Sequence, residues 1–300
     1  MVKKSRTVGL SRADRIFNWL LIILCILAFL LFAYPLYFIL IASISDPFDV
    51  WNGLVTVVPR HITLIGYNEI LTYPYLLRSY MNSLFYVVVG TLMSLLLTTT
   101  GAYVLGRKEF VPRQLIMSML LFTMFFNGGL IPNYLLVRDL HLLNTIWAIL
   151  LPGMVSVTNL IITRTYYATN IPEELHEAAQ LDGCNDFRYF VSIVLPLSRT
   201  IIAVMALYYG VARWNAYFNA MIYLSDRNIF PLQLVLREIL NRTIASMEVS
   251  GNDLEQAKQM RLAEVSKYCA IVISSLPPML LYPLVQKHFV KGVMIGSVKG

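Results

Sequence analysis

From Phe17 to Ile44 the chain carries no charged side chain. A helix needs about 20 apolar residues to cross the ~30 Å hydrocarbon layer of a bilayer, and this run is longer than that. Five more apolar runs follow, at about 80–105, 114–136, 143–167, 200–223 and 267–285. Together they exceed what one soluble core of 300 residues buries, and a composition that is 57% hydrophobic and 14% charged, with mean hydropathy +0.64, agrees. The expected fold is an all-α integral membrane protein with six transmembrane helices.

Orientation follows from the positive charges. Residues 1–16 hold Lys3, Lys4, Arg6, Arg12 and Arg15 against Asp14, which predicts a cytoplasmic N-terminal tail. The apolar run behind them is too long for the core of a cleaved signal, so it is expected to stay as span one of a transmembrane domain covering 17–300. Segment 45–79, with Trp51, Tyr67, Tyr73 and Tyr75, is expected outside the membrane as an ordered loop with interfacial anchors. Arg107, Lys108 and Arg113 return the chain to the cytoplasmic side. The 224–266 segment is expected outside, with a helical pattern over 254–265, and the basic end with Lys287, His288, Lys291 and Lys299 inside. A net charge of +7 is thus a topological signature rather than a nucleic-acid footprint.

Other chemistries find little support. Cys25, Cys184 and Cys269 form neither a disulfide framework nor a metal-ligand spacing. His61, His141, His176 and His288 are scattered, and each reads as a solvated or interfacial side chain. There is no phosphate-binding Gly-rich loop and no nucleophile elbow, so no catalytic or metal residue is assigned, and any ATP hydrolysis must occur on another chain. The six apolar runs contain no Asp or Glu, which argues against an ion-coupled carrier working alone.

Segment 170–198 is the longest polar interruption between two apolar halves. Pro172 suits a first helical turn, Glu173 and Glu174 place negative charge at the positive end of the helix dipole, and Gly183 supplies a stop. These signals predict a helix of about three turns with Leu175, Ala178, Ala179 and Asp182 on one stripe. Asn185 or Asp186 then caps a second helix that Pro196 ends. The spacing alone fits two amphipathic helices lying idle on a membrane surface as well as a docking element.

The full constellation is more specific. Glu177-Ala178-Ala179, Asp182-Gly183, Phe190 and Ile193-Val194-Leu195-Pro196 resemble the cytoplasmic signature of permease subunits in binding-protein-dependent ABC importers, with Cys184 and Thr200 as small departures. The resemblance implies that 170–198 is a helix-loop-helix coupling segment between spans four and five, and that it docks on an ATP-hydrolysing subunit. Glu177, Ala178, Ala179, Asp182, Gly183 and Pro196 are its candidate coupling residues.

Two further features mark the spans. Asn127-Gly128-Gly129 breaks span three, either as a simple kink or as buried backbone beside a wet cavity. In span five, Tyr208, Asn215 and Asn219 fall within about 20° of one stripe on a continuous helix, and Trp214 points away from it. Asn127, Tyr208, Trp214, Asn215 and Asn219 are therefore candidate substrate-pathway residues, with interhelical hydrogen bonding as the alternative role for the polar groups, Arg213 included. Phe125 to Pro132, Trp214-Asn215, Phe218-Asn219-Ala220 and Tyr282 to Gly292 are similar to the oligosaccharide branch of the carbohydrate-uptake permeases, the branch of the second maltose permease subunit. Membership implies an oligosaccharide substrate, a second homologous permease subunit, two ATP-binding cassette subunits that bind ATP and Mg, and an extracellular solute-binding protein. It also implies a bacterial plasma membrane, membrane lipid as the surrounding solvent, no cofactor in this chain and no nucleic-acid partner.

Overall fold

A computed structural model describes residues 12–245 and 253–297, and every regular element among them is helical. Residues 1–11 of the expected tail and Lys299 of the basic end lie outside the described residues, as do the side chains of the 282–292 motif. In chain order the helices are α1 (Arg12–Ser43), α2 (Pro47–Trp51), α3 (Ile65–Leu71), α4 (Leu76–Gly106), α5 (Arg113–Phe125), α6 (Leu130–Asp139), α7 (Trp147–Leu150) and α8 (Val157–Asn170). There follow α9 (Glu174–Leu181), α10 (Asp186–Tyr189), a π-helical turn (Phe190–Val194), α11 (Leu195–Leu197), α12 (Arg199–Trp214), α13 (Phe218–Tyr223), a 3₁₀ turn (Arg227–Ile229), α14 (Leu232–Ala245) and α15 (Asp253–Ser297).

By length and composition, α1 and α4 can cross a membrane unaided, and two bent pairs raise the count to four if each pair is one span. The α5 and α6 axes meet at 119°, and the 186–197 helical segment meets α12 at 80°. At 119° the break at Asn127-Gly128-Gly129 is far more than a kink. Asn127 Oδ1 accepts from Gly129 N at 2.9 Å, and Gly129 takes φ +91°, a region open to glycine.

Two expected continuities and one expected stop do not hold as predicted. The 143–167 run splits into α7 and α8 around Pro152 and Gly153, the latter at φ +67°. The 200–223 run splits into α12 and α13 across 215–217. Pro196 does not end its helix, because the chain widens into a π turn that closes with Leu195 N–H on Phe190 O. Pro196, which has no N–H to offer, falls just beyond that closure, and the helical path continues to Leu197 before the bend.

The chain forms two compact units. One comprises residues 1–70 and 243–273. In it α3 meets α15 so closely that a Cβ on Gly66 would sit 2.8 Å from Val265 Cγ1 and 2.9 Å from Cys269 Sγ. Its 45–64 loop is ordered by main-chain bonds, Asp46 N to Arg60 O and Thr63 N to Ile44 O among them. The expected helix over 254–265 is the first part of α15.

The other unit comprises residues 71–242 and 274–300, and α4 is its axis, packed against α8 and α12. The buried positions of α4 include Ser79, Ser83, Gly90, Ser94, Thr98 and Ala102. Small residues at this spacing let helix backbones approach closely, which is how helices associate where burial from water supplies no drive. Asn82, Ser83 and Tyr86 hold the 228–232 segment through its main chain, for example Tyr86 Oη donating to Ile229 O at 2.7 Å.

Candidate functional site

The 174–197 segment is built by local rules. α9 spans eight residues, little more than two turns, and ends in a Schellman stop: Cys184 N donates to Ala179 O and Gly183 N to Gln180 O, both at 2.9 Å, with Gly183 at φ +74°. Asn185, rather than Asp186, caps the next helix by accepting from Arg188 N at 2.8 Å. The predicted stripe is divided between two faces. Ala179 packs inward with Tyr189, Phe190 and Val194, while Leu175, Ala178 and Asp182 stay exposed beside Glu177. Leu181 is 90% exposed and Phe187 77%, so the outer face carries apolar surface that the described residues do not cover.

What holds that face in place is a residue the sequence gives no reason to single out. His176 is 3% exposed, which corrects its expected solvation. Arg107 Nη2, from the end of α4, lies 2.9 Å from its Nδ1 and 2.6 Å from its Nε2, and Asp186 Oδ1 lies 3.0 Å from Nε2. Arg107 Nη2 also lies 3.8 Å from Asp186 Oδ1, so guanidinium, imidazole and carboxylate form one cluster. The ring edge also meets Tyr189, centroids 4.9 Å apart. The only sequence signal was its i, i+3 relation to Ala179. Lys108 adds an exposed ion pair with Glu173. The hydrogen bond to Glu173 raises the Lys108 ammonium above its ordinary range, and the same bond to Lys108 holds Glu173 below the usual carboxylate range.

The helix breaks frame a second feature, a cavity of about 140 Å³ lined by Ile149, Pro152, Gly153, Tyr209, Arg213 and Asn219 among others. Of the expected pathway residues only Asn219 lines it. Asn127 and Tyr208 are exposed elsewhere, and Asn215 is exposed with its amide turned back onto Val211 O at 3.0 Å. Trp214 is buried, donating Nε1–H to Ser274 O at 2.9 Å and meeting Tyr80 edge-on. Arg213 instead takes the central place. It donates to Ile149 O at 2.8 Å, Leu150 O at 3.1 Å and Ser94 Oγ at 3.3 Å, satisfying carbonyls left free where α7 ends. Tyr209 joins the wall through Thr98 Oγ1 at 2.7 Å and by accepting from Ser156 N at 3.2 Å.

Comparison with known proteins agrees with these features. Residues 80–294 match the family model described as binding-protein-dependent transport system inner membrane component. The chain is 37% identical over 288 residues to the polygalacturonan/rhamnogalacturonan transport system permease protein YtcP of Bacillus subtilis, covering 96% of this chain and 99% of that one. It is 39% identical over 266 residues to protein LplC of the same organism, 89% of each chain. A crystal structure of a bacterial ABC transporter involved in the import of the acidic polysaccharide alginate contains a chain that superposes with TM-score 0.84 at 32% identity, covering 93% of this chain and 99% of that one. With the match covering 80–294, and so the whole 177–196 signature, the chain belongs to the family of binding-protein-dependent transport system inner membrane components.

Proposed function

We propose that this chain is the transmembrane permease subunit of an ABC importer that carries an oligosaccharide into a bacterial cell. The observation that carries the reading is the outer face of α9 and α10, where Glu177, Ala178, Asp182, Gly183, Leu181 and Phe187 stand exposed on a segment anchored from behind by Arg107. Ala179 and Pro196 serve the same segment from within, Ala179 in its packing and Pro196 at its bend. Such a face needs a partner, and the fitting one is the subunit that hydrolyses ATP. ATP and Mg belong to that subunit. The chain is a transport component rather than an enzyme.

The remaining partners are a second homologous permease subunit, a pair of ATP-binding cassette subunits and an extracellular solute-binding protein. Six spans, with both termini in the cytoplasm, fit the charge pattern: α1, α4, the α5–α6 pair, the α7–α8 pair, α12 with α13, and the apolar part of α15. The sugar polymers named for two of the relatives support an oligosaccharide cargo; Asn219 at the cavity offers it a polar group, and Asn127, Tyr208, Trp214 and Asn215 stay pathway candidates away from that cavity, Trp214 being buried.

The test is ATP-driven uptake of labelled oligosaccharide by the complex in proteoliposomes, together with single-cysteine labelling. Replacing Asn215 and Asn219 together by Leu is expected to cut uptake strongly while loaded binding protein still stimulates ATP hydrolysis. Cysteines near Gly53 and Asn252 are expected to label from outside, and those near Arg107 and Asp182 only after permeabilisation. Absence of ATP-dependent uptake for every oligosaccharide overturns the cargo. Labelling at 252 only in permeabilised cells overturns the topology.

A further inference from the structure

Arg213 is the only charged residue between Thr200 and Tyr223. Its side chain crosses α4 where Gly90 makes room, since a Cβ there would lie 2.7 Å from Nε and 2.8 Å from Cδ. All three of its acceptors are neutral, and among the described residues no carboxylate pairs with it. A guanidinium has five N–H groups, so two are left without an acceptor among the described residues. Holding two carbonyls and a hydroxyl requires donors but not a charge, and an unpaired charge at membrane depth is costly. The clamp engages three of the N–H groups, and no acid among the described residues neutralises the charge.

The charge faces the cavity that Arg213 shares with Asn219 and Tyr209, between the break at Pro152-Gly153 and the break after Trp214. The predicted spans of this chain hold no acid that would neutralise it. A positive charge lining a cleft attracts anions and disfavours cations, and a guanidinium can donate to a carboxylate. We infer that Arg213 is a specificity-determining residue that favours passage of oligosaccharides bearing carboxylates, that is, uronic-acid units, over neutral ones. The inference rests on the importer reading and adds the charge of the cargo.

The experiment uses the assembled importer with its binding protein in proteoliposomes. The probes are a uronic-acid trisaccharide and the same trisaccharide with its carboxyl groups reduced to alcohols, with uptake normalised to the amount of loaded binding protein. Arg213→Gln keeps donors and removes the charge, and it is expected to lower the acidic-to-neutral uptake ratio at least tenfold. Arg213→Lys keeps the charge and is expected to retain most of the ratio. Asn219→Asp places a carboxylate at the cavity while leaving the Arg213 clamp in place, and it is expected to lower the ratio as well. A ratio unchanged in Asn219→Asp, or equal losses for both sugars in Arg213→Gln with Arg213→Lys no better, overturns the inference. Wild-type uptake of the neutral sugar alone overturns it too and leaves the importer reading standing, whereas wild-type failure to take up any sugar overturns that reading itself.

Discussion

Arg107, at the end of α4, places its guanidinium 2.9 Å from Nδ1 of the buried His176 on α9. The two residues are 69 positions apart, and they tie the short 174–197 segment to the longest apolar helix of its unit. The exposed face of α9 is thus linked to α4 by a side-chain contact as well as by the main chain. Both α8 and α12 pack against α4 in turn.

Replacing His176 by Leu keeps apolar bulk and removes the acceptor between Arg107 and Asp186. Hydrogen bonds to charged groups are worth about 1.5–3 kcal/mol, which corresponds to roughly tenfold or more in an equilibrium. Uptake and substrate-stimulated ATP hydrolysis are expected to fall together by about tenfold, with membrane insertion intact. Normal coupling in this variant at equal expression would remove His176 from the linkage.

Gly183 sits at φ +74° with open space where a Cβ would point, so a substitution there is penalised by the backbone alone. Left-handed backbone costs an ordinary L-residue about 1–2 kcal/mol, and Asn tolerates it better. Gly183→Asn is expected to support near-normal transport, and Gly183→Val to lose most of it. Glu177→Lys leaves the helix intact and reverses a charge on the outer face, so it is expected to abolish uptake through failed assembly with the ATPase, read by co-purification.

Gly90 is the passage for Arg213. Gly90→Val would drive the guanidinium away from Ile149 O, Leu150 O and Ser94 Oγ, and overpacking of this kind costs about 1–3 kcal/mol. The melting temperature of the detergent-solubilised protein should fall. Because the obstructing atoms belong to one side chain, Gly90→Val combined with Arg213→Gln should recover part of the loss.

The Lys108–Glu173 pair sets a pH window. Glu173 is held below the usual carboxylate range, so its contribution is present at neutral pH and is lost as pH falls through its lowered pKa. Lys108 is raised, so its contribution is full below the ordinary lysine range and is lost as pH rises through its raised pKa. Both groups are exposed and the effect is small. Lys108→Met is expected to lower stability slightly and evenly between pH 6 and 8 and to leave it unchanged in acid, where Glu173 is protonated, so that the acid limb flattens, as a thermal-shift series would read.

Much of this protein was legible before any fold was known. The apolar runs that became α1 and α4, the stop at Gly183 and the cap at Asn185 depend on hydropathy and on main-chain bonds between near neighbours, and those are local properties. The residues over 177–196 that carry the family resemblance are likewise contiguous. The projection that aligned Tyr208, Asn215 and Asn219 assumed one continuous helix, and it failed because the chain breaks after Trp214.

Two of the charged or titratable groups that organise the site were undecided by the sequence. His176 is buried because Arg107 arrives from 69 residues away, and Arg213 is held by carbonyls 64 and 63 residues away. Hydropathy and helical periodicity report which side chains prefer to leave water. Only the packed fold decides which distant donor or acceptor satisfies the polar groups that leave with them, and so which polar residues anchor α9 and which line the cavity.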